Sequence, residues 1–279
     1  MPWFHKIVLI TYGHLPDFLV IDHPRLIIVN HKDYLPPQYL PTFNSSTIEM
    51  NIHRIQNLCE NYVYFNDDVF PLQSVKEEYY FQNNMVCDEA VENIITTAAF
   101  GPVANMARYM QVNNMFIINK YFKKREVQKK HPEQWFCEEY GDRLERTKSL
   151  EYWRDFPGFY DPHLANAMKK STLSKLWEKE PEILDRASQN HFRAHSDVTQ
   201  YLIRYWQLCE GEFIPRRTQG KVFFVDIHNY KEVANSIRSR EYQMISINEN
   251  CTAEEFQIIK KEINQALTEI FPEKSSFEK

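Results

Sequence analysis

Glycine is scarce in this chain, and paired cysteines, a positive net charge and long apolar runs are absent from its sequence. Six glycines in 279 residues exclude a chain dominated by flexible or low-complexity sequence. The formal net charge of −5 argues against general nucleic-acid binding, which needs a basic surface. The apolar runs are too short to cross a bilayer. These absences leave a globular chain, long enough for one large domain or for one domain with a substantial insertion.

The five cysteines are far apart and include no Cys-x-x-Cys pair, so the sequence predicts neither a disulfide framework nor a zinc site. This usage is typical of a reducing compartment. The first residues lead directly into a strand pattern, without the features of a signal peptide. We therefore expect a cytoplasmic protein. Two basic clusters, at 120–125 and 129–131, predict either solvated helix faces or contact with a phosphorylated or membrane-linked substrate.

Five short apolar runs, rich in β-branched or aromatic residues, predict buried strands. They are Lys6–Thr11, Leu26–Val29, Tyr62–Phe65, Lys221–Ile227 and Met244–Ile247. A helix is predicted between the second and third runs, because Ser46 and Glu49 have the spacing of a capping box and isoleucines recur at helical intervals. Strand, helix and strand in this order predict an α/β fold with a mostly parallel sheet.

The middle of the chain has mostly helical patterns, which prolines interrupt. A last helix is predicted from Thr252 to about Phe271, with Glu255 at capping-box spacing. We therefore predict a single catalytic domain over residues 1–279. Its α/β core consists of residues 1–87 and 216–279, and a helical insertion over residues 88–215 contributes part of the site.

Four of the predicted strands lead into polar residues at their carboxyl ends. The polar segments are Thr11-Tyr12-Gly13, Asn30-His31-Lys32-Asp33, Asn66-Asp67-Asp68 and Asn248-Glu249-Asn250. In open parallel sheets, ligands bind in the crevice beyond the carboxyl ends of the strands. The sequence therefore predicts that these four segments meet at one pocket.

Asp67 and Asp68 are adjacent carboxylates, and two interpretations of them are open. One carboxylate could bind a divalent cation while the other takes a proton from a substrate hydroxyl, since Mg²⁺ is typically held by one or two carboxylates together with substrate phosphates. Alternatively, Asn66-Asp67-Asp68 is simply a turn, because Asn and Asp are common turn residues. Two interpretations are also open for His31 and His163. Each could act as an acid, a base or a phosphate ligand, or each could be a structural residue.

Longer motifs around these residues resemble a known family. The run from Leu40-Pro41-Thr42-Phe43-Asn44-Ser45 to Tyr64-Phe65-Asn66-Asp67-Asp68-Val69-Phe70 closely resembles the second conserved region of the Stealth family. That family contains bacterial capsular polysaccharide phosphotransferases and the animal lysosomal-enzyme N-acetylglucosamine-1-phosphotransferase. Residues 158–206 resemble its third conserved region and residues 247–278 its fourth. The bacterial capsule members are the most similar.

The resemblance implies a Rossmann-like, nucleotide-sugar-transferase-like core. It also implies that a sugar-1-phosphate moves from a nucleotide diphosphate sugar to a hydroxyl of an acceptor glycan, in capsular or cell-wall polysaccharide synthesis. The expected cofactor is Mg²⁺ or Mn²⁺, with Asp67 and Asp197 as candidate metal ligands. We further expect peripheral association with a membrane-bound capsule assembly, at the inner face of the membrane.

The same resemblance implies roles for individual residues. Asp67 or Asp68 is the base that takes the hydroxyl proton. His163 and Arg193 are the other candidate catalytic residues, because Arg can bind phosphate oxygens through two parallel hydrogen bonds. The candidate substrate-binding residues are Asn66, His31, Asp33, Asn248, Asn250 and His191.

Three differences from the family pattern are visible in the sequence. It has no Trp-Val-Asp-Gly motif, which in the family's first conserved region helps to bind the donor nucleotide. Asn190 stands where the family usually has His, and Glu249 stands where it usually has Asp. The alternatives are therefore a metal-dependent glycosyltransferase, which would transfer only the sugar, and an inactive glycan-binding relative.

Overall fold

The structure, a computed structural model, describes residues 1–97 and 101–279, and within them ten strands and ten α-helices. The strands are β1 Ile7–Thr11, β2 Leu26–Asn30, β3 Asn61–Tyr64, β4 Val69–Pro71, β5 Phe81–Gln82, β6 Met85–Asp88, β7 Asn166–Lys169, β8 Phe213–Pro215, β9 Lys221–Val225 and β10 Met244–Glu249. The helices are α1 Ser45–Glu49, α2 Pro102–Tyr121, α3 Lys124–Lys130, α4 Pro132–Trp135, α5 Leu144–Ser149, α6 Lys170–Lys179, α7 Pro181–Ser188, α8 Tyr201–Glu210, α9 Tyr230–Arg238 and α10 Ala253–Ile270. The five strands predicted from apolar runs are all present, as β1, β2, β3, β9 and β10.

The strands of the described residues pair in four small sheets, with the orders β1-β2, β4-β10-β9, β3-β7 and β5-β6-β8. The pairs β1–β2, β9–β10 and β6–β8 are parallel, whereas β3–β7, β4–β10 and β5–β6 are antiparallel. The prediction of a mixed α/β fold is thus confirmed. The prediction of a mostly parallel sheet is not, because parallel and antiparallel pairs are equally numerous among these strands.

The error lies in the segment between β2 and β3. The sequence predicts one crossover helix here, joining parallel neighbours. In the structure α1 has only five residues, and the rest of the segment is irregular chain with short 3₁₀ helices. As a result, β2 pairs with β1 and β3 pairs with β7. Strand periodicity identifies strands but does not show that two consecutive strands, such as β2 and β3, belong to different sheets.

The two predicted capping boxes have different outcomes. At α10 the box of Thr252 and Glu255 is confirmed, with both reciprocal hydrogen bonds present. At α1 the predicted box was wrong, because the Asn44 side chain is the N-cap and accepts the backbone N–H of Ser46 at 3.1 Å. Glu49 therefore does not cap α1, and its side chain accepts a hydrogen bond from Tyr64 instead.

Two hydrophobic clusters stabilise the described parts of the chain. The smaller one packs α9 and α10 against β9 and β10, through side chains such as Val225, Ile237, Ile245 and Ile263. The larger one is built from most of the remaining elements and includes Trp135, Met168, Leu202 and Phe213. Among the residues described, no helix combines the length and the apolar character that a bilayer crossing requires.

The predicted helical insertion, residues 88–215, holds α2 to α8 and also β7 and β8. Residues 98–100 of this segment lie outside the described residues. Since β7 pairs with β3 and β8 pairs with β6, the segment contributes strands to sheets that begin in residues 1–87. The division into core and insertion stays a prediction.

Candidate active site

The Asn66-Asp67-Asp68 segment is a turn between β3 and β4. The backbone N–H of Val69 donates to the carbonyl of Asn66 at 3.3 Å, which closes the turn. It lies on a large open cleft of about 1840 Å³. Apolar side chains of β1, β3 and α10 line much of this cleft. A polar end is lined by Glu49, Asp67, Asp68, His163, Arg193 and Asn248. The turn interpretation is therefore correct, and the turn also faces a pocket.

Two strand pairings bring distant residues to this turn. In the β3–β7 ladder Tyr64 lies opposite Asn166. Continuing this antiparallel register beyond the strand ends brings His163 opposite the turn. On the other side, the N–H of Ile247 on β10 donates to the carbonyl of Asp68 at 2.9 Å. Residues 246 and 248, which lie on the same face of β10, therefore point toward the same carboxylate.

The Asp68 carboxylate is the centre of the polar end. Its Oδ2 atom accepts hydrogen bonds from Ser246 Oγ at 2.9 Å and Asn248 Nδ2 at 3.0 Å, and it contacts His163 Nε2 at 3.0 Å. Burial by itself raises the pKa of Asp68. The hydrogen bonds from His163 and Ser246 outweigh burial, so the pKa lies below its ordinary value. Asp68 is therefore ionised near neutral pH and is a weak base.

His163 is the cationic partner of Asp68. The hydrogen bond to Asp68 raises the pKa of His163, although burial opposes the shift. The same Nε2 atom lies 3.1 Å from Asn66 Nδ2. A protonated Nε2 donates to Asp68, whereas an unprotonated one accepts from Asn66. The ring nitrogen therefore has a hydrogen-bond partner in both protonation states, as expected for a histidine that gains and loses a proton.

A buried arginine holds the segment before His163. Arg204 on α8 donates to the carbonyl of Tyr160 at 2.8 Å and forms an ion pair with Asp88 at 2.8 Å. It also contacts Asp161, which accepts a further hydrogen bond from Tyr205. Burial raises the pKa of Asp161 to about 6, against the opposing charge of Arg204. This network fixes the backbone on which His163 lies.

Glu49 is a candidate functional residue that the sequence does not reveal. It was interpreted as a capping acid, but in the structure it is buried at the cleft and accepts a hydrogen bond from Tyr64 Oη at 2.9 Å. Burial raises the pKa of Glu49 to about 7, although the Tyr64 hydrogen bond and the charge of Arg193 act in the opposite direction. A carboxylate with a pKa near neutrality is a candidate general base.

Arg193 lies on a loop beside α1, and its Nη2 atom donates to Ser45 Oγ at 3.0 Å. Its guanidinium is exposed in the cleft, so most of its donors are available to a phosphate. His191 is close in sequence, but its Nδ1 atom contacts the carbonyl of Pro41. His191 thus holds the loop against the 41–45 segment and does not line the cleft.

Asp197 is placed away from the cleft. Its Oδ2 atom accepts from Asn44 Nδ2 and from the N–H of Ala194, both at 2.8 Å, and Oδ1 accepts from Asn190 Nδ2 at 2.6 Å. The side chain is fully buried. These contacts are those of a structural carboxylate, and the structure does not bring Asp197 to Asp67. Asn190, where the family usually has His, is one of its donors.

We expect Asp197→Ala to lower the free energy of unfolding by about 1–3 kcal/mol, because the Ala194 N–H loses its acceptor and the buried amides of Asn44 and Asn190 each lose one. Urea unfolding monitored by circular dichroism measures the change. Asp155→Ala, at an exposed site, is the matched control. Unchanged stability together with a loss of metal-dependent activity would instead support the metal-ligand role predicted from the sequence.

Of the other residues predicted to bind substrate, some line the cleft and others lie on the exposed surface. His31 lies at the cleft, buried, and burial lowers its pKa. Asp33 is exposed and accepts the N–H of Asn30 at 2.7 Å, as part of a capping box. Asn250 is exposed at the end of β10, and its N–H donates to Val225. Of the four polar strand ends, three contribute residues to the lining of this cleft: His31, the 66–68 turn and Asn248.

Two carboxylates at the polar end are the candidates for holding a divalent cation. Oδ1 of Asp68 is buried and has no hydrogen-bond partner among the described residues, and the Asp67 carboxylate is exposed in the cleft. In residues 1–97 and 101–279, no cluster of three or more His, Cys, Asp or Glu side chains is placed to hold a metal. Two carboxylates that need further oxygen ligands from a phosphate fit Mg²⁺.

Comparison with known proteins tests the family resemblance. A family model described as Stealth protein CR2, conserved region 2, matches residues 1–88. Capsular polysaccharide phosphotransferase WcwK of Streptococcus pneumoniae is 38% identical over 279 residues, which covers 100% of this chain and 82% of that protein. This chain belongs to the Stealth family. Within Stealth conserved region 2 lie Glu49 and the 66–68 turn, whereas His163, Arg193 and Asn248 lie beyond it.

Two other Stealth relatives are similar along nearly the whole chain. Exopolysaccharide phosphotransferase cps2G of Lactiplantibacillus plantarum is 35% identical over 281 residues, covering 100% of this chain and 81% of that protein. Receptor polysaccharide phosphotransferase WefC of Streptococcus gordonii is 31% identical over 280 residues, covering 99% and 82%. The resemblance seen in the second conserved region is thus confirmed, and the assignments of the third and fourth regions stay predictions.

Proposed function

We propose that this chain transfers a hexose-1-phosphate from a nucleotide diphosphate sugar to a glycan hydroxyl in capsular or cell-wall polysaccharide synthesis. The observation that supports the proposal is the grouping of Asp68, His163, Arg193 and Glu49, from distant parts of the chain, at the polar end of one cleft. The names of the Stealth relatives, all polysaccharide phosphotransferases, give the same reaction class.

The positive groups of the site would bind the negatively charged diphosphate of the donor. Arg193 presents its guanidinium to the cleft, and the protonated form of His163 adds a second charge, held in place by Asp68. The acceptor oxygen attacks the phosphorus that carries the sugar, and a new P–O bond forms. The bond from this phosphorus to the bridging oxygen breaks, and nucleoside monophosphate leaves with the electron pair. Preorganised charge stabilises such a phosphoryl transition state.

Glu49 is the proposed base that takes the proton of the acceptor hydroxyl. From the sequence we predicted Asp67 or Asp68 for this role. Asp68 is less suitable, because its pKa is lowered and its Oδ2 atom has three hydrogen-bond partners. Glu49, with a pKa of about 7, combines the ionised form at working pH with sufficient basicity.

Asp67 and the Oδ1 atom of Asp68 are the proposed ligands of Mg²⁺ or Mn²⁺. Both residues line the cleft, and the buried Oδ1 atom has no hydrogen-bond partner among the described residues. When bound, the cation would neutralise charge on the donor phosphates. Asn248 holds the Asp68 carboxylate from the other side, through its hydrogen bond to Oδ2.

We further propose that β1 and β2 belong to a Rossmann-like donor site. They are parallel, in register from Ile7–Leu26 to Thr11–Asn30. The residue that follows β2, His31, lines the cleft. This arrangement fits a ligand crevice at the carboxyl ends of parallel strands.

Isothermal calorimetry with a panel of nucleotide diphosphate sugars tests the donor site. We expect at least one donor to bind in the presence of Mg²⁺ and to bind much more weakly after chelation with EDTA, because the diphosphate and the two carboxylates share the cation. Arg193→Ala should weaken the same donor, and Arg186→Ala, on α7, is the control. If no donor binds at millimolar concentration, the chain is an inactive relative and the proposal is wrong.

A further inference from the structure

Three exposed aromatic side chains from separate segments contact one another. Tyr12, Phe43 and Phe192 are 56%, 63% and 68% exposed. The rings of Phe43 and Phe192 are stacked, with centroids 5.3 Å apart and planes at 13°. The Tyr12 ring lies 6.3 Å from that of Phe43. We call these three side chains the aromatic platform. A single exposed apolar residue needs no explanation, whereas a contiguous exposed group often marks a binding site.

The platform borders the polar end of the cleft. Phe192 directly precedes Arg193, and Phe43 lies two residues before Ser45, which accepts the Arg193 hydrogen bond. On the other side, the Tyr12 ring makes an edge contact with His31 at 5.8 Å. Arg193, Ser45 and His31 all line the cleft. A molecule lying on the platform would therefore reach the transfer site.

The backbone beneath the platform is fixed. The N–H of Phe43 donates to the carbonyl of His191 at 2.8 Å, and Asn44 Nδ2 lies 3.4 Å from the carbonyl of Phe192. The Asn44 amide in turn bonds Asp197. The two phenylalanines are thus held by a buried hydrogen-bonded network while their rings stay in solvent. A preorganised surface of this kind loses little entropy when a ligand binds.

We propose that the aromatic platform binds sugar rings of the acceptor glycan, next to the site of transfer. This inference rests on the proposed function. The faces of sugar rings carry C–H groups, which pack on the negative face of an aromatic ring. The openness of the platform favours the acceptor over the donor, because small-molecule sites bury most of their ligand. A glycan chain that passes across a surface leaves much of each ring in water.

The test compares acceptor and donor kinetics in variants of the platform. We expect Phe192→Ala and Phe43→Ala each to raise the KM for the acceptor about 3- to 10-fold, with kcat and the donor KM unchanged. Phe192→Tyr should retain the wild-type acceptor KM, and Phe192→Leu, which keeps an apolar side chain without the ring, should not. Phe116→Ala, at an exposed site on α2, is the matched control.

A raised donor KM with an unchanged acceptor KM would overturn the proposal, because the rings would then contact the donor. Glycan-array binding without donor, on bacterial capsular oligosaccharides, tests the platform independently of transfer. Wild type and Phe192→Tyr should bind the same glycans, and Phe192→Leu should lose them. If the array signal is equal in all three, or absent from the wild type, the platform proposal fails even where transfer is observed.

Discussion

Asp68→Asn is expected to reduce sugar-phosphate transfer by about 10²- to 10³-fold, the range typical of a lost electrostatic group in an active site. The amide cannot hold the imidazolium of His163, which Asp68 contacts at 3.0 Å, and it offers a poorer ligand for a cation. The pKa of His163 should fall toward its ordinary value, since the Asp68 hydrogen bond is the largest cause of its elevation. Initial rates and the ¹⁵N-resolved titration of His163 measure the two effects.

The pH profile of the same variant has a defined sign. In the wild type, activity should fall on the alkaline side as His163 loses its proton, at a pH above the ordinary histidine value. In Asp68→Asn this alkaline limb should move to lower pH.

Asp155→Asn, at an exposed position, controls for the charge change, and thermal unfolding controls for the fold. Wild-type turnover in both Asp67→Asn and Asp68→Asn would remove the turn from the catalytic site.

Glu49→Gln is expected to lower kcat by about 10²- to 10⁴-fold while leaving donor binding nearly unchanged. Glutamine keeps the size of the side chain and can still accept from Tyr64, but it takes no proton from the acceptor hydroxyl. Wild-type activity should rise with pH near 7 as Glu49 ionises, and the variant should lack this acidic limb. Because the charges of Glu49 and His163 interact, the acidic and alkaline limbs of the pH–rate profile give apparent pKa values that belong to the pair and not to either residue alone.

The control for this variant is Glu178→Gln, an exposed position on α6. Rate measurements at several pH values and donor calorimetry distinguish a catalytic defect from a binding defect. An acidic limb that persists in Glu49→Gln would assign the limb to another group and would contradict the role of Glu49 as base.

The polar strand ends could be predicted because they depend on local pattern. An apolar run followed by Asn66-Asp67-Asp68 indicates a strand with a polar turn at its end, and both are present, although β3 is only half-buried rather than buried. His163 and Arg193 are different. The Asp68–His163 contact joins residues 95 positions apart, and no periodicity encodes such a pairing. The residue type makes His163 a candidate without assigning it a role, and Arg193 becomes a candidate only through motifs that resemble a family.

Two differences between expectation and structure have one physical origin, since a carboxylate's role depends on burial and on its partners. Glu49 has capping-box spacing, but Asn44 already caps α1, which frees Glu49 for the cleft. The family resemblance implies a metal ligand at Asp197, whereas its carboxylate accepts hydrogen bonds from Asn44 and Asn190; the metal role stays a prediction. The sheet error is similar, because the partners of β2 and β3 are set by tertiary packing rather than by the residues of either strand.

The central claim is that the phosphate moves together with the sugar. It is tested most directly with a nucleotide diphosphate sugar labelled with ³²P in the phosphate next to the sugar, incubated with this chain, Mg²⁺ and acceptor glycan. We predict that the label appears in the glycan, in a phosphodiester, and that unlabelled nucleoside monophosphate is released. Label retained in nucleoside diphosphate, with an unlabelled extended glycan, would contradict the account and identify an ordinary glycosyltransferase.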